Sequence, residues 1–162
     1  EMCIRDRIKI ILSHFHPDHI ANVQHIKWES LYQGKNTYKY THIGEIVESD
    51  INVDETDIKL RIFQMPSSHA KGSLALLVNN KYCLLGDALY PAHKGDKTVY
   101  NAGILKQQID ILKKMAAPYV LLSHREPFVQ KKQAVISWLE KIYAMREKNE
   151  PWILMTGQNV PN

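Results

Sequence analysis

Short apolar runs separated by polar connections dominate the first half of the chain. Residues 8–12 are apolar except for one lysine and predict a buried strand. Residues 58–62 alternate between apolar and polar side chains, which is the pattern of a half-buried strand. Residues 74–78 and 82–85 are apolar and flank the Asn-Asn-Lys segment 79–81, so they predict a hairpin.

Helical spacing appears in the second half. Apolar residues recur every three or four positions in 104–115 and again in 129–146, so both stretches predict amphipathic helices. The apolar run 119–122 lies between them and predicts a strand. Because strands and helices are mixed, the fold class is α/β or α+β, and we expect a single domain over residues 1–162.

Other segments have weaker patterns. We expect a helix to begin near Asp18, and a short strand at residues 45–48. Residues 28–42 are polar, aromatic and poorly periodic, and residues 50–57 are acidic and turn-rich, so neither stretch predicts a regular element. The stretch 88–103 is also interpreted as a loop, and such loops would form the walls of a pocket.

The composition is that of an ordinary globular chain. Of its 162 residues, 44% are hydrophobic and 23% are charged, which excludes a disordered chain. The net charge of +4 would suit an anionic substrate without requiring one. Cys3 and Cys83 cannot form a disulfide framework, so we expect a reducing, cytoplasmic location. The apolar runs are too short to span a membrane.

Four ionisable side chains follow the first predicted strand in the pattern H-x-H-x-D-H, as His14, His16, Asp18 and His19. In an extended segment residues two apart point the same way, so His14 and His16 can bind one ion from one side. Asp18 and His19 lie at the turn into the predicted helix and suit a second ion. Imidazole and carboxylate groups are ligands of Zn²⁺ and similar metals, and Fe or Mn is compatible with them.

Four residues cannot complete two coordination shells, so further ligands must come from distant strand ends. His69, Asp87 and His124 each follow an apolar strand and have the required side chains. A lone loop histidine is usually just solvated, and Gly-Asp after a strand is usually a turn, but the shared position at strand ends favours ligands. The remaining histidines, His25, His42 and His93, are interpreted as surface or core residues.

The ordered series of these motifs resembles the metallo-β-lactamase-fold hydrolases. The resemblance covers roughly residues 8–126 and implies an αββα sandwich with a dinuclear metal site. It implies that His14, His16 and His69 hold one ion, that Asp18, His19 and His124 hold the second, and that Asp87 bridges them. The motifs that carry it are His14-x-His16-x-Asp18-His19, Ser68-His69-x-x-Gly72-Ser73, Gly86-Asp87 and Ser123-His124.

The types of ligand indicate which branch of this family the chain resembles most. The commonest zinc β-lactamases carry Cys where Asp87 stands, and flavo-di-iron proteins carry Glu where His16 stands, so the chain is more similar to the glyoxalase II, lactonase and phosphodiesterase branches. Tyr90 lies where the lactonase branch has a substrate-facing tyrosine, although a core or rim aromatic is the simpler interpretation of this single residue. The resemblance implies Asp18, Asp87 and Tyr90 as catalytic residues, with Lys71 or His93 as further substrate contacts.

The implied reaction is attack of a metal-activated water on a small-molecule ester, thioester, lactone or phosphodiester. Two other interpretations stay open. One is a metal-binding domain or fragment without catalysis. The other is a nucleic-acid-processing member of the superfamily, which is disfavoured because Glu140 and Glu147 interleave with the cationic residues of the last predicted helix and its end.

The resemblance also predicts an incomplete sandwich. Members of the family have several strands before the first motif, whereas only thirteen residues precede His14 here. We therefore expect an N-terminally truncated member in which most of the N-terminal sheet is missing. The second sheet would then expose apolar surface, through which the chain could associate with itself.

Overall fold

The computed structural model describes residues 8–155, and all statements below concern these residues. In chain order the elements are β1 (Lys9–Ile11), α1 (Pro17–Ile20), a 3₁₀ turn (Val23–His25), β2 (Ser30–Gln33), α2 (Lys35–Thr41), β3 (Glu45–Ile46), β4 (Ile51–Glu55), β5 (Ile58–Met65), β6 (Ser73–Val78), β7 (Tyr82–Gly86), β8 (Ala92–Lys94), β9 (Lys97–Asn101), α3 (Ala102–Lys114), β10 (Tyr119–Leu122), β11 (Val129–Lys131), α4 (Lys132–Ala144) and β12 (Trp152–Met155).

A six-stranded sheet forms the centre of the fold, in the order β11-β10-β7-β6-β5-β4. The predicted hairpin of β6 and β7 is confirmed, and Asn79 and Asn80 at its turn both have positive φ angles. Strands β7 and β10 are parallel neighbours, so their carboxyl ends lie at the same edge of the sheet.

Helices α3 and α4 cover one face of this sheet. Alternate strand residues such as Leu85 and Leu122 point into a core with Leu105 and Leu139 of the two helices, and all four side chains are fully buried. The apolar residues of the strands therefore pack against the apolar faces of the two helices predicted in 104–115 and 129–146.

A smaller parallel sheet, β1-β2-β3, packs on the other face. Val47 from the end of β3 joins Ile62 and Leu74 of the large sheet in a buried cluster. On its outer side, Leu12 and Leu31 pack with Val23 of the 3₁₀ turn. The order of layers is thus helix, sheet, sheet, helix, with three strands in the first sheet. Strands β12, β9 and β8 form a third, separate sheet.

Several local predictions are wrong. Residues 28–42 are not a loop but contain β2 and α2, because Leu31 and Gln33 point into the interior and Gly34 starts the helix. Residues 50–57 contain β4, whose polar side chains are tolerated at the edge of the sheet. The stretch 88–103 contains β8 and β9.

Two helix boundaries also differ from the predictions. The helix near Asp18 is only four residues long, Pro17–Ile20, and a 3₁₀ turn follows it. The last helix begins at Lys132, since residues Val129–Lys131 pair with β10 as the edge strand β11. None of the helices in the described part of the chain is long and apolar enough to cross a membrane.

Within residues 8–155, the small sheet does not cover all of the large sheet. Leu84, Leu121 and Phe128 line a pocket of about 190 Å³ beside Ile11 of β1, and Phe128 is 49% exposed. We call the surface of Leu84, Leu121 and Phe128 the open face. It is the apolar surface that the sequence predicts for a sandwich with a reduced first sheet.

Candidate metal centre

The end of β1 places the first four donor side chains. The carbonyl oxygen of Ser13 accepts a hydrogen bond from the backbone N–H of Leu74 at 2.8 Å, which ties this strand end to the large sheet. His16 is extended and precedes α1, and Pro17 occupies the first turn of that helix. The chain therefore turns between His16 and Asp18, and the donors before and after the turn face different positions.

The large sheet supplies the other three donors from its loops. His69 lies between β5 and β6, Asp87 directly follows β7, and His124 follows β10. The backbone N–H of Ser123 donates to the carbonyl oxygen of Gly86 at 3.2 Å, so the ends of β7 and β10 are held together. Asp87 and His124 therefore meet at one edge of the sheet although they are far apart in sequence.

The structure brings all seven predicted donors together in two groups. The first group is His14, His16 and His69, and the second is Asp18, His19, Asp87 and His124. Within each group the candidate ligand atoms all lie within 4.8 Å of one another. Both groups combine donors from the β1 end with donors from the large sheet, so neither could form from a local segment alone.

Asp87 occupies the centre of the cluster, where one carboxylate oxygen faces four imidazole rings. The carboxylate is buried, and it faces both groups. The distances from its Oδ2 to the Nε2 atoms are 3.3 Å for His19, 3.5 Å for His69, 3.7 Å for His14 and 3.7 Å for His124.

The surroundings favour a neutral His14 ring and an ionised Asp87 carboxylate. Burial, together with the neighbouring ring of His19, lowers the pKa of His14 to about 4, so His14 is neutral at pH 7. Burial alone would raise the pKa of Asp87, but the adjacent imidazoles of His69 and His19 outweigh it and lower that pKa. The same contact with the Asp87 carboxylate raises the pKa of His69.

Unpaired buried atoms point into the cluster. Among the described residues, His19 Nε2, His69 Nε2 and Asp87 Oδ1 are buried without a hydrogen-bond partner. His14 Nε2 and His16 Nδ1 face each other at 3.0 Å. Leaving buried polar atoms unsatisfied costs about 1–3 kcal/mol each, whereas a cation would satisfy all of them. The donor set therefore fits divalent metal ions.

Outer contacts orient the rings. His69 Nδ1 lies 3.2 Å from the carbonyl oxygen of Pro91, which can only accept a hydrogen bond. This contact places the ring proton on Nδ1 and leaves the Nε2 lone pair for a ligand inside the cluster. Such outer hydrogen bonds are usual for metal-binding histidines.

The cluster opens to solvent on the side of the second group. His14 is 1% exposed, whereas the side chains of Asp18 and His124 are 56% and 60% exposed. A small molecule can therefore approach Asp18 and His124 directly, while His14 and Asp87 form the floor. Phe15 and Tyr40 stack at 4.9 Å beside His16 and add an aromatic wall.

Tyr90 lies next to the cluster, half-buried. Its ring is 6.2 Å from that of His69, and its hydroxyl donates to the carbonyl oxygen of Ser123. Burial and the nearby Asp87 carboxylate raise the pKa of Tyr90, so the hydroxyl stays protonated at neutral pH. The structure thus places Tyr90 at the site, with its proton directed to the protein backbone.

The other candidates lie outside both groups. His25 and His42, which the sequence allows as surface or core residues, are exposed. His93 is exposed on β8, where its Nδ1 is 3.3 Å from Thr98 Oγ1, and Lys71 is an exposed loop residue. Cys83 is buried in the core, and Cys3 lies outside the described residues.

Two residues of the site are not predicted from the sequence. Ser13 is close to two of the donor rings, and Tyr40 belongs to a helix inside a stretch interpreted as a loop. The position of Ser13 directly before the motif is the one sequence signal that could have drawn attention to it.

Comparison with solved structures shows which fold carries this cluster. A structure titled as the peroxy diiron species of the chemotaxis sensor ODP matches with a TM-score of 0.63 and 13% identity, covering 81% of this chain and 69% of that one. Rubredoxin oxygen:oxidoreductase from Desulfovibrio gigas matches with a TM-score of 0.67 and 9% identity, covering 87% and 45%. A metallo-β-lactamase from Pontibacter korlensis matches with a TM-score of 0.54 and 12% identity, covering 82% and 69%.

These matches show that the chain has the metallo-β-lactamase fold, as its motifs predict. The chain spans less than half the length of several of these proteins, 45% of the Desulfovibrio gigas enzyme and 44% of a flavoprotein from Thermotoga maritima. No protein-family model and no curated protein matches the sequence. With the seven donors in two groups, the fold supports a dinuclear metal-binding domain.

Proposed function

We propose that this chain carries the dinuclear metal site of a hydrolase that acts on a small-molecule ester, thioester, lactone or phosphodiester. The observation that supports the proposal is the position of Asp87, with one oxygen 3.3–3.7 Å from four imidazole nitrogens drawn from both donor groups. We propose zinc as the native metal, since imidazole and carboxylate donors suit it.

The proposed roles of the residues follow from their burial. Two divalent ions held here would supply an activated water and polarise the substrate oxygen. Asp87 is buried and would hold both ions in place. Asp18 is exposed at the mouth, where its carboxylate can accept a proton from the incoming water and release it to solvent. Tyr90 would contact the substrate only after its hydroxyl releases the Ser123 carbonyl.

A second candidate function is an iron-dependent redox reaction. It is favoured by the names of the similar structures, which include a rubredoxin oxygen:oxidoreductase and flavo-di-iron proteins. The donor set of this chain is compatible with iron as well as zinc. A nucleic-acid-processing role has less support, because Glu140 of α4 lies among the cationic residues and forms an ion pair with Lys113 of α3 at 2.7 Å.

Metal content and turnover test the proposal together. The metal-free protein would be reconstituted with Zn²⁺, Mn²⁺ or Fe²⁺, and the bound metal counted by mass spectrometry. Hydrolysis of nitrophenyl acetate, a thioester, a lactone and bis-nitrophenyl phosphate would be measured beside the reduction of dioxygen. We expect about two ions per chain, hydrolysis of at least one substrate and no dioxygen reduction.

Variants connect the result to the cluster. The double change His14→Ala and His16→Ala removes two of the three donors of the first group, so metal content should fall and hydrolysis should stop. The change His25→Ala alters an exposed histidine outside the cluster and serves as the control. Unchanged metal content in the double variant would refute the metal site, and dioxygen reduction without hydrolysis would favour the redox alternative.

A further inference from the structure

Ser13 lies between two rings that belong to different donor groups. Its Oγ is 3.1 Å from His14 Nδ1 and 3.2 Å from His19 Nδ1. His14 belongs to the first group and His19 to the second. A single hydroxyl therefore contacts both halves of the candidate dinuclear site.

The chemistry of the rings decides the direction of these hydrogen bonds. The Nε2 atoms of His14 and His19 face Asp87 Oδ2 in the centre of the cluster, at 3.7 Å and 3.3 Å. A neutral histidine that binds a cation through Nε2 carries its proton on Nδ1. Both protons then point at Ser13, and a hydroxyl oxygen has two lone pairs with which to accept them.

We propose that Ser13 is a positioning residue that accepts a hydrogen bond from both rings and so orients one ligand of each metal ion. This inference rests on the proposed metal site and adds that the two ions share one outer support. Loss of the Ser13 hydroxyl should therefore weaken the binding of both ions. Loss of a single donor should mainly weaken the binding of the ion held by the group of that donor.

The surroundings hold Ser13 in place for this role. Its backbone oxygen accepts the Leu74 N–H at 2.8 Å, which fixes the residue between the two sheets. Gly86 lies against its side chain, and a Cβ at Gly86 would be only 2.9 Å from both Cβ and Oγ of Ser13. The absence of a side chain at position 86 therefore leaves the space that the hydroxyl occupies.

The test measures both metal affinities in Ser13→Ala by competition with a chelator. Removal of outer-sphere partners typically weakens metal binding about 10- to 100-fold, and we expect a loss of this size for both ions. Ser13→Thr keeps the hydroxyl and should restore most of the affinity. Ser73→Ala is the matched control, because it removes a buried hydroxyl that donates to the Ala70 carbonyl and has no contact with a donor ring.

The outcomes separate this inference from the proposed function. If the unchanged protein binds no metal, the proposed function fails. If it binds two ions and Ser13→Ala binds them equally well, or loses affinity for one ion only, the shared support is refuted. Nitrogen-15 NMR of the zinc-loaded protein provides a second measurement that does not depend on folding of the variant. Protonated Nδ1 atoms in both His14 and His19 support the proposal, and metal binding through Nδ1 of either ring overturns it.

Discussion

His124 and Asp18 are 106 residues apart in the sequence, yet His124 Nε2 lies 3.1 Å from Asp18 Oδ2. The contact joins the end of β10 to the first turn of α1 at the exposed mouth of the cluster. It belongs to the second donor group, whereas the first group lies deeper. The two ion sites should therefore respond differently to changes at the mouth.

We expect His124→Ala to weaken the binding of one of the two ions and to leave the binding of the other unchanged. Because a donor is removed outright, the loss of affinity should exceed the roughly 10- to 100-fold effect of outer-sphere changes. His42→Ala is a close control, since both histidines are exposed and have similar backbone angles, with φ of 58° and 54°. Calorimetric titration with Zn²⁺ measures both sites, and equal weakening of the two ions would contradict the division into groups.

A substitution at Gly34 tests whether its contact with Gly72 supports the loop that carries His69. A Cβ at Gly34 would lie 1.9 Å from the carbonyl oxygen of Gly72, so even alanine requires the backbone of that loop to move. We expect Gly34→Ala to lower the free energy of unfolding by about 1–3 kcal/mol and to weaken the ion bound by the first group.

Gly95→Ala is the comparison for the Gly34 variant. Gly95 has a positive φ, of 61°, whereas Gly34 has a φ of −76°, and nothing lies within 4 Å of a Cβ at Gly95, so only backbone strain of about 1 kcal/mol is expected there. Urea unfolding and metal titration of both variants give the result. Equal stability and equal metal affinity in the two would show that the contact between Gly34 and Gly72 does not matter.

The buried thiol of Cys83 predicts a loss of stability at alkaline pH. Burial raises the pKa of Cys83 from 9.0 to about 12, so the folded protein keeps the thiol neutral while the unfolded chain ionises it. The stabilisation is complete below pH 9 and is lost as the pH rises towards 12. Each pH unit within this window should cost roughly 1.4 kcal/mol.

Urea unfolding between pH 8 and pH 11 measures this effect, with Cys83→Ala as the control because other groups also titrate in this range. The variant should lose the part of the pH dependence that the thiol causes. In Cys3→Ser, in which Cys83 is the remaining cysteine, iodoacetamide should react only with unfolded protein. Rapid labelling of the folded chain would show that the thiol is accessible.

The open face predicts self-association. Leu84, Leu121 and Phe128 lie beside β1, which is an edge strand of the small sheet within the described residues. Two copies could therefore cover each other with an apolar surface and an adjoining strand edge. We expect the sedimentation coefficient to rise with protein concentration.

Polar substitutions on the open face should reduce this association. Leu84→Gln and Phe128→Gln should shift the equilibrium towards the single chain, whereas Leu154→Gln changes an exposed leucine on the separate sheet of β12 and should have no effect. Sedimentation that does not depend on concentration in the unchanged protein would contradict the prediction.

The sequence predicts the local elements that bury an apolar face. Strand β5 and helix α3 have a clear period, and strands β6, β7 and β10 are short apolar runs, because β5 and β6 bury residues on both faces of the large sheet. Strand β2 and helix α2 lack this signal, because their buried positions include Gln33 and Thr37, which are polar. Their burial depends on contacts with other parts of the chain, such as the parallel pairing of β2 with β1, which periodicity cannot show.

The candidate site also has some features that the sequence predicts and others that it does not. The cluster of four donors after β1 is evident from spacing, but the approach of His69, Asp87 and His124 depends on sheet order. The resemblance of the motifs predicts their division between two ion sites with Asp87 as the bridge, and the structure gathers the donor atoms into two groups with Asp87 in the second. The shared contact of Ser13 depends on ring orientation, which no local pattern specifies.

Both donor groups bridge the β1 end and the large sheet, and this arrangement links the metal content of the protein to its resistance to heat. An ion bound by either group would fasten the two layers together, and the unfolded chain would lose that fastening. An ion present at 100 times its dissociation constant would add about 2.7 kcal/mol to the free energy of unfolding. Chelating agents used during purification would therefore lower the stability of the fold. Local unfolding would begin at the contact between the β1 end and the large sheet.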